Sequence, residues 1–186
     1  MFKAAITAIG AVLLTGSANA AQISVSVYAN GAFTDTGSSI TFFGPPVTRT
    51  TLSTSAKGFY IEWDGRTDEI PAQWRSVQIL KPLPNFGGSV TFAADLKGQL
   101  NVARTGAYTL TFGADDGGYL FIDGTHVAST PWAHGIYTVT PAVTLTAGVH
   151  KVEVQFDNTV CCRAITALSL PEGVSLGTER TAAAQR

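Results

Sequence analysis

Charged side chains are scarce in this chain. Only 13% of its 186 residues are Asp, Glu, Lys or Arg, and they balance to a net charge of −1. So little positive charge excludes an electrostatic footprint for nucleic acid or for an anionic membrane surface. Cysteine is almost absent, and the two present, Cys161 and Cys162, are neighbours, which excludes a disulfide framework. A helical period is missing everywhere after the first twenty residues. Long apolar runs are missing too, apart from Ala4 to Leu14, which falls short of the roughly 20 residues that span a bilayer. That run follows Lys3 and precedes the small-x-small site Ala18-Asn19-Ala20, so residues 1–20 read as a secretory signal peptide cleaved before Ala21. The expectation is an exported chain without membrane insertion, in the periplasm, at the cell surface or secreted.

What is abundant is apolar alternation. Hydrophobic residues make up 45% of the chain, with 19 glycines. In "ISVSV", Ile23, Val25 and Val27 fall on one face and serines on the other. In "VTFAADLKGQLNV", every even position from Val90 to Val102 is apolar or glycine, a period of two that predicts strand, broken near Lys97-Gly98. "AYTLTF", "YLFI", "HVA", "TVTPAVTLTAG", "HKVEVQF" (burying Val152, Val154 and Phe156) and "AITALSL" continue the series. Asp123-Gly124 between two of these runs is a two-residue hairpin signal. Many short strands separated by turn clusters predict an all-β, antiparallel two-sheet β-sandwich, a single domain over residues 21–171. The polar segment from Thr48 to Gly58 reads as a long loop, and residues 172–186 as a frayed tail in which pattern is lost after Leu176. No Asn-x-Ser/Thr sequon occurs.

Several spaced motifs resemble the protective-antigen-type β-sandwich domain family. They are Gly106-Ala107-Tyr108-Thr109-Leu110, then Asp115-Asp116-Gly117, then Phe121-Ile122-Asp123-Gly124, then Leu145 through Gly148 to His150. The resemblance runs in order over residues 57–170 and is vague before Lys57. It implies the sandwich fold, and it includes both lectins and modules with no known ligand, so the site has to be argued from residues.

Asp115-Asp116-Gly117-Gly118 is good turn chemistry by itself, since aspartate accepts nearby backbone donors and glycine takes positive φ. The competing reading is a cation site. In an extended trans chain adjacent side chains point to opposite faces, so two neighbouring carboxylates share an ion only across a cis or sharply bent peptide. The resemblance to flocculin- and adhesin-like calcium-dependent lectins implies such a cis pair holding calcium, completed by a second loop. Here that loop is Asn158-Thr159-Val160-Cys161-Cys162. The implied ligands are the side chains of Asp115, Asp116 and Asn158 and the carbonyls of Val160 and Cys162, with Cys162 standing where the family pattern has tryptophan. Asp157 is a further oxygen ligand candidate. Calcium takes about 6–8 oxygens, which leaves about one to three positions for neighbouring sugar hydroxyls. The implied partner is a glycan, of a cell surface or an extracellular polysaccharide, and the implied role is adhesion. A structural or assembly module of the same fold, without sugar binding, is the alternative.

Trp132, in "ASTPWAHGIY", is the aromatic candidate for stacking on a sugar ring, against an ordinary plug over the end of the sandwich. Trp63 and Trp74 read as structural, and Glu62, Asp64, Asp68 and Glu69 as a solvated acidic loop. His126, His134 and His150 lack metal-ligand spacing. No nucleophile elbow, His-Glu-x-x-His or phosphate loop is present, and adjacent carboxylates do not form the facing pair of a glycosidase, so catalysis is not expected. After export Cys161 and Cys162 are expected to oxidise to a vicinal disulfide, although adjacent trans Cα atoms sit about 3.8 Å apart, below the usual disulfide range. Free thiols or a bond between two chains are the alternatives.

Overall fold

Alternation becomes strand almost wherever it occurs. The computed structural model describes residues 20–63, 70–80, 91–131, 135–159 and 164–177. Residues 1–19 of the expected leader, Asp64, Asp68, Glu69, Trp132, His134, and Val160 to Cys162 therefore lie outside the described residues. β1 (Ala21–Ala29) is followed by a short hairpin of β2 (Phe33–Asp35) and β3 (Ile40–Phe42), and then by β4 (Thr48–Thr54) and β5 (Gly58–Glu62). A single 3-10 turn over Ala72–Trp74 precedes β6 (Gln78–Leu80). The middle of the chain forms β7 (Phe92–Val102), β8 (Gly106–Thr109), β9 (Thr111–Asp115), β10 (Gly117–Ile122) and β11 (Thr125–Thr130). The last strands are β12 (Tyr137–Val139), β13 (Ala142–Leu145), β14 (Gly148–Asn158), β15 (Ile165–Ser169) and β16 (Val174–Leu176).

Two main sheets face each other. One is seven-stranded, ordered β11-β10-β14-β7-β1-β4 with β16 also on β7, and the other is five-stranded, ordered β12-β9-β15-β5-β6. All pairs are antiparallel except β5 with β6, which is parallel. The core lies between the sheets. Ile23, Leu96, Leu120 and Phe156 from one meet Phe59, Ile61, Phe112 and Leu168 from the other. The fully buried aliphatic and aromatic side chains each contribute about 1.5–3 kcal/mol.

The turn at Asp123-Gly124 forms as expected. Ile122 pairs with Thr125, and Asp123 and Gly124 both take positive φ, 51° and 78°, as a two-residue turn matching strand twist requires.

Three boundaries differ from the sequence reading. Thr48 to Gly58 is not a loop, because β4 pairs with β1 from Ala21↔Thr54 to Val27↔Thr48 and β5 begins at Gly58. β4 is an edge strand with little to bury, so its composition is polar, and only Leu52 packs on the core. β7 does not break at Lys97-Gly98 but runs eleven residues. β14 pairs along its whole length, β1 covers one part of its other edge as far as Lys97, and β16 takes over that edge at Leu100. Gly98 sits between, where a Cβ would meet Ile23 Cγ2 at 3.1 Å. The tail, finally, does not begin at 172, since Val174 and Leu176 are buried and β16 pairs with β7. Three residues are too few to display a period.

Candidate functional site

The two sheets are joined at one end by a pair of crossovers, and these build the site. β9 belongs to the five-stranded sheet and ends at Asp115, whereas β10 belongs to the seven-stranded sheet and starts at Gly117. Asp116 is the single residue between them. The chain makes the opposite passage beside it, leaving the seven-stranded sheet at Asn158, the end of β14, and entering the five-stranded sheet at Ile165. Register holds the two passages together, because Asp115 pairs with Ile165 and Gly117 pairs with Asp157.

The Asp115-Asp116 peptide is cis. Both side chains are buried, at 3% and 1% exposure, as are Asp157 and Asn158, each at 0%. Gly135 N–H donates to Asp115 Oδ1 at 3.2 Å, and Thr159 N–H donates to Asp116 Oδ2 at 3.0 Å. The second of these bonds ties the aspartate pair to the residue that follows Asn158. The structure thus brings Asp115, Asp116 and Asn158 to one end of the sandwich. Two of the five implied calcium ligands, Val160 and Cys162, lie outside the described residues, as do Trp132 and Cys161. Among the described residues no three His, Cys, Asp or Glu side chains gather into a metal-holding group. What lies at this end is two buried carboxylates and one buried side-chain amide.

The electrostatics around this end are one-sided. Burial, and then the carboxylates of Asp35 and Asp116, push the Asp157 carboxyl up to about 7. Burial and its bond to Asp35 hold the Tyr119 phenol above its ordinary range. Asp35 escapes sequence reasoning. It sits in β2, and Tyr119 O–H donates to its Oδ1 at 2.6 Å across 84 residues of sequence.

Glu62 requires a correction. It is 1% exposed, not solvated, and its Oε2 accepts the Tyr60 hydroxyl at 3.0 Å. The outer face of the five-stranded sheet carries a second small core of Tyr60, Trp74, Val77, Ile165 and Ala167, so this face is covered. Trp63 and Trp74 are structural as expected, at 2% and 0% exposure.

His150 belongs to a different end and a different chemistry. Its Nδ1 lies 2.7 Å from Asp123 Oδ2 and its Nε2 lies 2.9 Å from the Thr146 carbonyl. The bond to Asp123, and then that to Thr146, raise the imidazole above its ordinary value, while the bond from His150 and then the Lys151 N–H lower the Asp123 carboxyl. A raised histidine stabilises the fold fully below its unfolded value, and that stabilisation is lost as pH rises through the folded value; a lowered aspartate stabilises above its unfolded value and loses this as pH falls through the folded one. The pair is therefore strongest between about pH 4 and about pH 6.5. Asp123 is half exposed, so the pair is worth about 0–1 kcal/mol. Its expected contribution is a Tm about 1–3 °C higher near pH 5.5 than near pH 8, absent in His150→Gln, as thermal melts of both proteins at the two pH values would show. An equal difference in the variant would remove the pair from the account.

No family model matches the chain, and no curated protein matches it. Solved structures do. The fold is similar to the PA14 domain of the MpAFP antifreeze protein, at 17% identity and a TM-score of 0.53, covering 86% of this chain and 92% of that one. It is similar to the A domain of epithelial adhesin 6 from Candida glabrata, solved in complex with Galβ1-3GlcNAc, at 16% identity and a TM-score of 0.50, covering 90% and 84%. A β-glucosidase from Kluyveromyces marxianus matches 82% of this chain at 15% identity and a TM-score of 0.49, and the chain spans 16% of that enzyme's length. At these identities the likeness establishes the fold, a PA14-like β-sandwich, as the spaced motifs lead one to expect.

Proposed function

We propose that this chain is an exported, non-catalytic module that binds carbohydrate through a calcium ion held at the paired crossovers. The observation that carries the reading is the convergence of Asp115, Asp116 and Asn158, all buried, with Asp116 bonded to the loop that follows Asn158. An all-oxygen donor set with two negative charges suits calcium rather than a softer cation. Asp115 and Asp116 would supply carboxylate oxygens and Asn158 its amide oxygen. By resemblance, Val160 and Cys162 would add carbonyls. When bound, the ion supplies coordination positions for two neighbouring sugar hydroxyls.

The remaining work falls to the chain's own groups. The Gly135 and Thr159 amides fix the direction of the two carboxylates. A carboxylate has about four lone-pair sites, so each keeps capacity to accept a hydroxyl proton. The adhesin domain solved with Galβ1-3GlcNAc supports a glycan as the ligand class. Glycoside hydrolysis needs two carboxyls facing across roughly 5–9.5 Å, which adjacent aspartates at a crossover do not provide.

A glycan array run in calcium and again in chelator tests the reading, with binding expected only in calcium. Saturating calcium at about a hundredfold excess over Kd adds about 2.7 kcal/mol to the native state, so Tm should rise by about 5–10 °C over the chelated protein. An array without hits, or hits that survive the chelator, would leave a structural or assembly module of this fold.

A further inference from the structure

The outer face of the seven-stranded sheet is partly roofed by the β2–β3 hairpin. Ile40 N–H donates to Gln155 Oε1 at 2.6 Å, and Tyr119 O–H reaches up to Asp35 Oδ1. Ile40, Ala93 and Tyr119 form a small apolar core beneath the hairpin, joined by Phe33, Phe42 and Phe121. Asp157 lies in the same layer. It is 0% exposed, and among the described residues neither of its carboxylate oxygens has a hydrogen-bond partner. Its neighbours across the strands are Gly117 and Ala93, so no large side chain fills the row on either side of it.

The charges that act on Asp157 are the carboxylates of Asp35 and Asp116. Lys97, on this face, is bound instead to Asp95 at 2.5 Å and lies 3.7 Å from Glu153. A buried carboxylate is tolerated when it is paired or coordinates a metal. Among the described residues Asp157 has no pairing partner, and the carboxylates of Asp35 and Asp116 act on it. Side-chain alternation also separates it from its neighbour. Phe156 packs in the inter-sheet core, so Asp157 points to the outer face, the face on which the hairpin is bonded to Gln155 and Tyr119.

We propose that Asp157 and Asp35 hold a second divalent cation between the sheet and the hairpin, distinct from the ion at Asp115 and Asp116, and that this ion fastens the hairpin onto the sheet. The donors are oxygens, so the cation is a hard one, calcium before zinc, with water completing its shell. The hairpin edge at Asp35 is already organised for it. Oδ1 is held by the Gly37 N–H at 2.6 Å and by Tyr119, which sets the carboxylate's direction.

The test is a count of bound calcium by native mass spectrometry, with hydrogen exchange of residues 33–42 as the second readout. The parent should carry two ions. Asp157→Asn and Asp35→Asn should each lose one, the double variant should lose no more, and Asp116→Asn should lose the other. Exchange in the hairpin should quicken about tenfold in chelator and in Asp157→Asn, and change little in Asp116→Asn. Should Asp157→Asn fail to fold by circular dichroism, Asp35→Asn on the hairpin decides by the same count. One ion lost in Asp116→Asn and kept in Asp157→Asn overturns the second site and leaves the glycan reading standing. A parent that carries a single ion, lost in Asp116→Asn and in Asp157→Asn alike, makes Asp157 a ligand of the first ion, which also overturns it. A parent without calcium overturns both readings. Two ions on a protein that binds no glycan leave the second site intact.

Discussion

Asp116→Asn is expected to fold like the parent and to lose calcium affinity and glycan binding together, each by at least about tenfold, or about 1.4 kcal/mol. Asparagine keeps the size and the turn propensity of the native residue. It also keeps an oxygen for the Thr159 N–H that Asp116 Oδ2 now accepts at 3.0 Å, so the contact between the two crossovers survives. What disappears is one negative charge from the ion's surroundings and one strong acceptor for a sugar hydroxyl. If the pair served only the turn, the substitution would be nearly silent. Asn158→Ala approaches the same ion from the other passage and should give the same phenotype. The double variant should then lose little beyond either single one, because both residues serve one ion and their effects do not add. Glu172→Gln is the control. It lies in the exposed turn after β15, at the end of the sandwich away from the crossovers, and should change neither affinity. Calorimetry of calcium and then of glycan against these proteins gives the answer. Glycan binding retained in both Asp116→Asn and Asn158→Ala would sink the mechanism, even in a protein that proved to be a lectin.

Strands that bury one complete face were legible because a period of two leaves a mark in composition. β7 and β14 are the clearest cases, and each pairs along the sheet for eleven residues. β4 was not legible, since an edge strand with only Leu52 on the core needs few apolar residues. Faces covered by later segments were misread for a similar reason. Glu62 looks solvated beside Asp64, Asp68 and Glu69, yet the residues around the 3-10 turn close over its sheet, and Trp74 is 0% exposed there.

The candidate site divides along the same line. Asp115, Asp116 and Asn158 could be named because the spaced motifs around them carry a resemblance. Asp35 could not, because "DTGSS" is ordinary turn sequence. The bond from Gly37 N–H to Asp35 Oδ1 is what such a turn makes anywhere. Its second role depends on the hairpin lying over Tyr119 and Asp157, a tertiary fact with no local signal.

Trp63→Ala is expected to be the most destabilising single substitution near the site, at about 3–5 kcal/mol. Trp63 is 2% exposed. Its ring stacks on Phe156 at 5.9 Å with planes 6° apart, and meets Phe92 at 5.4 Å in a tilted arrangement. Its Nε1–H donates to Thr166 Oγ1 at 3.1 Å, and its backbone N–H donates to the Ala164 carbonyl at 2.9 Å. It therefore joins the ends of β5, β14 and β15 beside the crossovers. Truncation would open a cavity where Phe156 packs, two residues before Asn158. A loss of 3–5 kcal/mol corresponds to a fall in Tm of about 6–20 °C for a domain of this size. Trp63→Phe keeps most of the ring and removes the donor to Thr166, which is 0% exposed, at a cost of about 1–3 kcal/mol. The two variants separate packing from ligation. In Trp63→Phe the fold is weaker while the carboxylates and the amide are untouched, so calcium affinity measured well below Tm should stay within about threefold of the parent, less than 0.7 kcal/mol. Chemical denaturation of the three proteins, with calcium titrated into each, provides the measurement. A Trp63→Ala protein within about 1 kcal/mol of the parent would show that the aromatic cluster does not hold this end of the sandwich together.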